Sequence, residues 1–174
     1  MIYKIKELTD IDDNCEIWGG KAAALSNLIK LGFNVPAGFV VPTDYYTEYT
    51  KNKLNICELE NILNSYYNKV FMGANPQIIC RSSANVEGKK NAPFCGVFES
   101  YVFDTEKSFV ENIELVWKSA QSSSALKHSQ NSTNDIVMAV IIQQIIFGEF
   151  CAVVQSYDIV QDQKRIVLEY SSSG

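Results

Sequence analysis

The chain carries a single histidine, His128, in a Ser/Asn-rich stretch with no cysteine or acidic cluster beside it. That setting makes it a poor metal ligand and a poor member of a nucleophilic triad. Cysteine occurs at five positions (Cys15, Cys57, Cys80, Cys95 and Cys151), an odd number, widely spaced and without a CxxC pair. This reads as the reduced cysteines of a cytoplasmic protein rather than as a disulfide framework. Basic residues are outnumbered: the net charge is −5 and the pI about 4.9. Bulk attraction to nucleic acid or to an anionic membrane is therefore not expected, and an anionic ligand needs a local cluster of donors. No apolar stretch is long enough to span a bilayer, and the N-terminus "MIYKIKELTD" lacks the apolar core of a signal peptide. The phosphate-binding pattern GxxxxGK[ST] is absent, and there is no internal repeat.

What is present suits a globular fold of one domain, or of one domain and a lobe of a second, with 47% hydrophobic residues in 174. "GGKAAALSNLIKLGF" has Ala24, Leu25, Leu28 and Ile29 at helical spacing, with Gly19 and Gly20 ahead of the helix and Gly32 where a C-terminal cap belongs. A short buried strand is expected between Pro36 and Pro42, then Thr43 as an N-cap with Asp44 in the first turn. Residues 55–71 read as a helix, "QIICRSS" and "VFESYVF" as strands. An amphipathic helix follows, with Phe109, Ile113, Val116, Trp117 and Ala120 on one face. After the polar stretch "SSSALKHSQNSTND" come three strand-like runs, "IVMAVIIQQII", "FCAVVQSYDIV" and "KRIVLEY". The first two suggest a hairpin turning at Gly148-Glu149, in an antiparallel sheet that begins near residue 135.

Several residues carry potential chemistry, each with a plain alternative. Lys21 adds a full positive charge at a helix start, which is locally unfavourable unless an anion compensates it; the alternative is a solvated lysine. Arg81 ends an apolar strand, where a guanidinium suits bidentate contact with phosphate, or else a salt bridge to Glu87 or Glu99. Ser82 and Ser83 offer hydrogen bonds to a ligand or to loop backbone. Gly96 permits close backbone approach, Ser100 lies near Phe98, and Gln143 can serve a nucleotide base or sugar, or simply stand at a sheet edge.

The order of these segments says more than any one of them. "GGKAAALSNLIKLGFNVPAGFVVPTDYY", "ICRSSANVEGKKNAPFCGVFESYVF" and "MAVIIQQII" resemble three blocks of the N-terminal nucleotide-binding region of the phosphoenolpyruvate synthase and pyruvate phosphate dikinase family. The family pattern reads GGKxxxL with a VPPGF-like strand, RSSAxxED leading to SFAGxxET, then MAVxVQ, and the blocks cover most of residues 16–146. The resemblance implies a partial ATP-grasp-type domain of α/β (α+β) class: an N-terminal lobe over residues 1–120, a polar linker at 121–134 and the start of a second lobe at 135–174. It implies ATP as ligand, with Lys21 and Arg81 neutralising its phosphates and Gly96 in the loop over them. Ser100 would replace the family's usual threonine, and Gln143 would lie on the lobe that holds the nucleotide.

The same resemblance assigns no catalytic residue here. It places the Mg2+ ligands and a carrier histidine outside these residues, with the phosphate passing to a small-molecule acceptor (pyruvate, or a divergent one bearing an amide or hydroxyl). "RIVLEYSSSG" resembles the strand leading to a GLGE segment, so the expectation is an N-terminal piece of a larger kinase, inactive alone, whose partners are the remaining domains. Gly88 after Glu87, Pro93 and Cys95 in the loop, and "FCAVV" where Ser-Gly-Val is usual point to a divergent relative. The alternative is a non-catalytic nucleotide-binding or regulatory module.

Overall fold

The computed structural model describes residues 3–87, 98–121, 136–157, 161 and 163–172. In chain order these form β1 (Lys6–Glu7), α1 (Cys15–Lys30), β2 (Gly38–Val41), α2 (Thr43–Thr50), α3 (Ile56–Phe71), β3 (Ile78–Ala84), β4 (Ser100–Val102), α4 (Phe109–Ser119), β5 (Met138–Gln144), β6 (Phe150–Gln155) and β7 (Val167–Ser172). Five strands make one antiparallel sheet in the order β1-β2-β5-β3-β4, and β6 pairs with β7 in a separate antiparallel ribbon. The class is mixed α/β with antiparallel sheets.

Side chains alternate across the five-stranded sheet, and each face has its own helical cover. On one face Phe39, Val41, Cys80, Val140 and Ile142 pack with Leu59 and Leu63 of α3 and with Ile113, Val116 and Trp117 of α4. On the other, Val40, Ala139 and Ile141 meet Leu8, Ile11 and the α1 residues Trp18 and Ala22. This double cover explains the run "MAVII": a strand buried on both faces has no polar side to write into its sequence.

The grouping of the last three strands differs from the one expected. β5 does not open a sheet with its successors but takes the centre of the first sheet, between β2 and β3. The expected hairpin at Gly148-Glu149 is not formed as a ladder, because β6 pairs with β7, Phe150 opposite Ser172. The reason is burial: an apolar strand needs a layer on each side, and only the centre of the helix-covered sheet supplies both. The polar stretch at 122–135, with His128, lies outside the described residues.

Local signals account for most helix ends. Asn55 caps α3 by accepting from Glu58 N. Ser108 and Glu111 form a capping box on α4. The Glu60 carboxylate of α3 also accepts from the N–H groups of Phe109 and Val110, which locks α3 to the start of α4. Gly32, with φ +85°, follows the C-cap Leu31 of α1. Thr43 is not the N-cap of α2: Pro42 holds that position, and the Thr43 hydroxyl instead donates to the carbonyl of Glu16. No described helix is long and apolar enough to cross a membrane.

α1 is two helical segments meeting at a kink: the expected helix follows Gly19, whose φ of 74° and ψ of 161° are not helical, and a further short segment, not expected, starts at Cys15 under the Asn14 cap. A Cβ on Gly20 would stand 2.0 Å from the carbonyl oxygen of Glu87. Gly20→Ala should therefore force the turn after β3 away from α1 and destabilise the fold by ~1–3 kcal/mol, as overpacking of a closed contact does. Urea unfolding of the variant beside the parent chain measures this.

Candidate functional site

The break in α1 is stitched by a side chain from the sheet. In an unbroken helix the Ala22 N–H would bond to the Trp18 carbonyl four residues back. Here the Ser83 hydroxyl stands between them, donating to Trp18 O (2.9 Å) and accepting from Ala22 N (3.0 Å). A hydroxyl inserted into the ladder accounts for the kink. A Cβ at Gly19 would lie 2.0 Å from the Ser83 carbonyl oxygen, so only glycine lets helix and strand meet this closely, and only glycine readily takes its positive φ. Ser83 thus serves backbone rather than a ligand.

The contact delivers Lys21 to the end of β3. Its ammonium donates to the Ser82 carbonyl (2.6 Å) and the Ser82 hydroxyl (3.2 Å), and lies 3.4 Å from Glu87 Oε1. The anion that a lysine at this end of a helix needs is therefore Glu87. The other oxygen of that carboxylate accepts from the Ala84 N–H (3.2 Å), and the Glu87 N–H returns to the Ala84 carbonyl, closing a turn. Burial pushes the Glu87 carboxyl above its ordinary range, against the opposing pull of Lys21, the Ala84 N–H and Arg81.

Arg81 is the second cation. Its Nη1 donates to Gln143 Oε1 at 2.7 Å, and burial depresses its pKa while the charge of Glu87 acts the other way. Arg81 stands opposite Ile141 and Gln143 opposite Ile79, so the two are diagonal neighbours on the α1 face of the sheet. Gln143 is not at a sheet edge: it sits in the central strand, 2% exposed, and its amide nitrogen donates to the Pro36 carbonyl (3.0 Å). Both ends of this amide hold protein groups, so its work is to aim the guanidinium. Ser100, exposed on β4, is directly opposite Arg81 and shares its face. Phe98 packs into the core cluster of the other face. Glu99, the other partner considered for Arg81, is hydrogen-bonded by the Tyr101 hydroxyl.

Of the residues expected at a phosphate site, Arg81, Ser100 and Gln143 share one face of the sheet, and Lys21 meets the end of the same strand β3 at Ser82. Gly96, like Gly88, Pro93 and Cys95, lies outside the described residues. Glu87 joins the cluster as its carboxylate, read from sequence only as one possible partner of Arg81. Other clefts, of about 550 Å³ beside Glu60 and Phe103 and about 280 Å³ beside Phe33 and Val35, are not lined by two cations. No three His, Cys, Asp or Glu side chains converge on a metal position among the described residues.

Lys21 and Arg81 thus stand near the end of β3, with Glu87 and Gln143 as their partners. The pyruvate phosphate dikinase AMP/ATP-binding domain is the family whose model matches, over residues 55–173, and the chain belongs to that family. It is 25% identical over 195 residues to a phosphoenolpyruvate synthase of Aeropyrum pernix, covering 87% of this chain and 24% of the relative. It is also 25% identical over 183 residues to the uncharacterised phosphotransferase YvkC of Bacillus subtilis, covering 94% of this chain and 22% of that protein. The chain spans about a quarter of the length of these relatives. The family match contains Arg81, Glu87, Ser100 and Gln143, while Lys21 precedes it.

Two outcomes follow. Gln143→Ala leaves an Arg81 N–H and the Pro36 carbonyl without their partner, and should cost about 1.5–3 kcal/mol in chemical denaturation, the range for hydrogen bonds to charged groups. The raised Glu87 carboxyl makes a stability contribution that is full below its ordinary value of 4.5 and is lost as pH rises through the higher folded value. Unfolding free energies of the parent chain and Glu87→Gln, compared between acid and neutral pH, should show this fall in the parent only.

Proposed function

We propose that Lys21 and Arg81 form the phosphate clamp of an ATP-grasp-type site, and that the chain is the nucleotide-binding part of a dikinase-type phosphotransferase. In the complete enzyme ATP would phosphorylate a carrier histidine outside this chain, and the phosphate would pass to a small-molecule acceptor, pyruvate or one bearing an amide or hydroxyl. The observation that supports this reading is the pair of cations Lys21 and Arg81 at the end of β3, both acting on the Glu87 carboxylate, in a chain of net charge −5. A positive site so placed is a local device, since the charge of the whole molecule opposes it.

Each residue's part follows from its geometry. Arg81 presents a planar fork that pairs with two phosphate oxygens, and Gln143 fixes its orientation beforehand. Lys21 supplies a point charge held beside it by Ser82. Ser100, opposite Arg81 on the edge strand, offers a hydroxyl to the same phosphates. Preorganised positive donors of this kind stabilise charge on a transferring phosphoryl group. Mg2+, where it accompanies the nucleotide, would be held by groups other than those described. The purine pocket, the acceptor site and the histidine-bearing domain belong to the same proposal.

Lys21→Ala should weaken ATP binding about ten- to a hundredfold, the equivalent of one charge-assisted contact. Arg81→Lys should lose a comparable amount, because an ammonium cannot reproduce the fork. Calorimetric titration of the chain with ATP measures both, with the thermal midpoint of Lys21→Ala as the control for folding. If both variants bind ATP like the parent, the clamp is wrongly assigned.

A further inference from the structure

The Lys21 ammonium has three N–H groups, and three oxygens of the protein surround it: Ser82 O at 2.6 Å, Ser82 Oγ at 3.2 Å and Glu87 Oε1 at 3.4 Å. A phosphate oxygen that approaches this ammonium competes with them. The Ser82 carbonyl is the shortest contact and comes from the strand backbone, so it cannot withdraw without moving β3. The Glu87 contact is the longest, and it is the only one made by an anion. Exchange of one anion for another leaves the charge around Lys21 nearly constant, which exchange of a neutral oxygen does not.

Resting on the phosphate-clamp reading, we infer that Glu87 is a stand-in anion, which occupies the ammonium of Lys21 until a phosphate displaces it. The anchoring of the carboxylate suits that role. Its second oxygen stays on the Ala84 N–H, so Glu87 can release Lys21 without leaving the turn. The turn itself is wedged against Gly20, which limits how far the carboxylate can retreat. Lys21 from α1 and Arg81 from β3 are the charged groups whose fields act on it. When Lys21 turns to a phosphate, Glu87 loses its ion pair and faces a second anion. Its affinity for a proton must then rise further.

The test uses inorganic tripolyphosphate and ATP as probes in calorimetric titrations of the 174-residue chain. Glu87→Gln keeps an acceptor for Ala84 N–H but removes the charge. It should bind tripolyphosphate more tightly, by about fivefold for a part-exposed pair. The gain should vanish in the Lys21→Ala background, because Glu87 acts through that ammonium. A scaffold role alone predicts the opposite sign. Weaker or unchanged binding by Glu87→Gln, with Lys21→Ala still weakened, overturns the stand-in and leaves the clamp intact. Absence of any effect of Lys21→Ala overturns the clamp and the stand-in together. Should Glu87→Gln not fold, the carboxyl 13C resonance of Glu87 in the unsubstituted chain decides: its titration midpoint must rise on addition of tripolyphosphate, and an unmoved midpoint refutes the displacement.

Discussion

The backbone-to-backbone approach of α1 and the end of β3 governs the arrangement of the site. Glycines at positions 19 and 20 remove the two Cβ atoms that would hold helix and strand apart, and the Ser83 hydroxyl fills the gap in the helical ladder that the approach opens. Without that contact Lys21 would extend from a solvated helix turn, several ångströms from any partner on the sheet. With it, the ammonium sits on Ser82, beside Glu87, next in the strand to Arg81. A polar hydroxyl and two missing side chains thus do for position what an apolar interface does for stability.

The electrostatics follow from the same closeness. Two cations in a part-buried corner repel each other and lose hydration. Gln143 relieves Arg81 with a neutral, oriented amide, and Glu87 relieves Lys21 with a charge. The two solutions differ in kind: the amide is bonded at both ends, whereas the carboxylate meets its cation at 3.4 Å as an ion pair. The ordinary demands of burial are met in these two ways.

The remainder of the fold serves to make these strand ends rigid. β3 and β5 are neighbouring interior strands of a sheet covered on both faces, and they carry Arg81 and Gln143. The β6–β7 ribbon is of a different kind: Phe150, Val154, Leu168 and Tyr170 share one exposed face. The family match runs from α3 through this ribbon and includes neither α1 nor Lys21, whereas the alignments with both relatives extend over most of the chain.

Local sequence alone determined the helices over 55–71 and 109–119, the strand through "IICRSS" and the apolar character of "MAVII". Each depends on caps or on side-chain periodicity within a few residues. The order of three short motifs also pointed to the family and to Lys21, Arg81 and Gln143. Tertiary structure decided the rest. That a second helical segment precedes Gly19, and meets the expected helix at a kink, depends on Ser83, more than sixty residues away in the chain. That β5 is central rather than the start of a new sheet depends on which layers are present to cover it. Glu87 became the partner of Lys21, and Gln143 of Arg81, because distance across the folded sheet selects among partners that sequence only enumerates. Charge pairing falls off over a few ångströms, and separation along a chain does not report separations of that size.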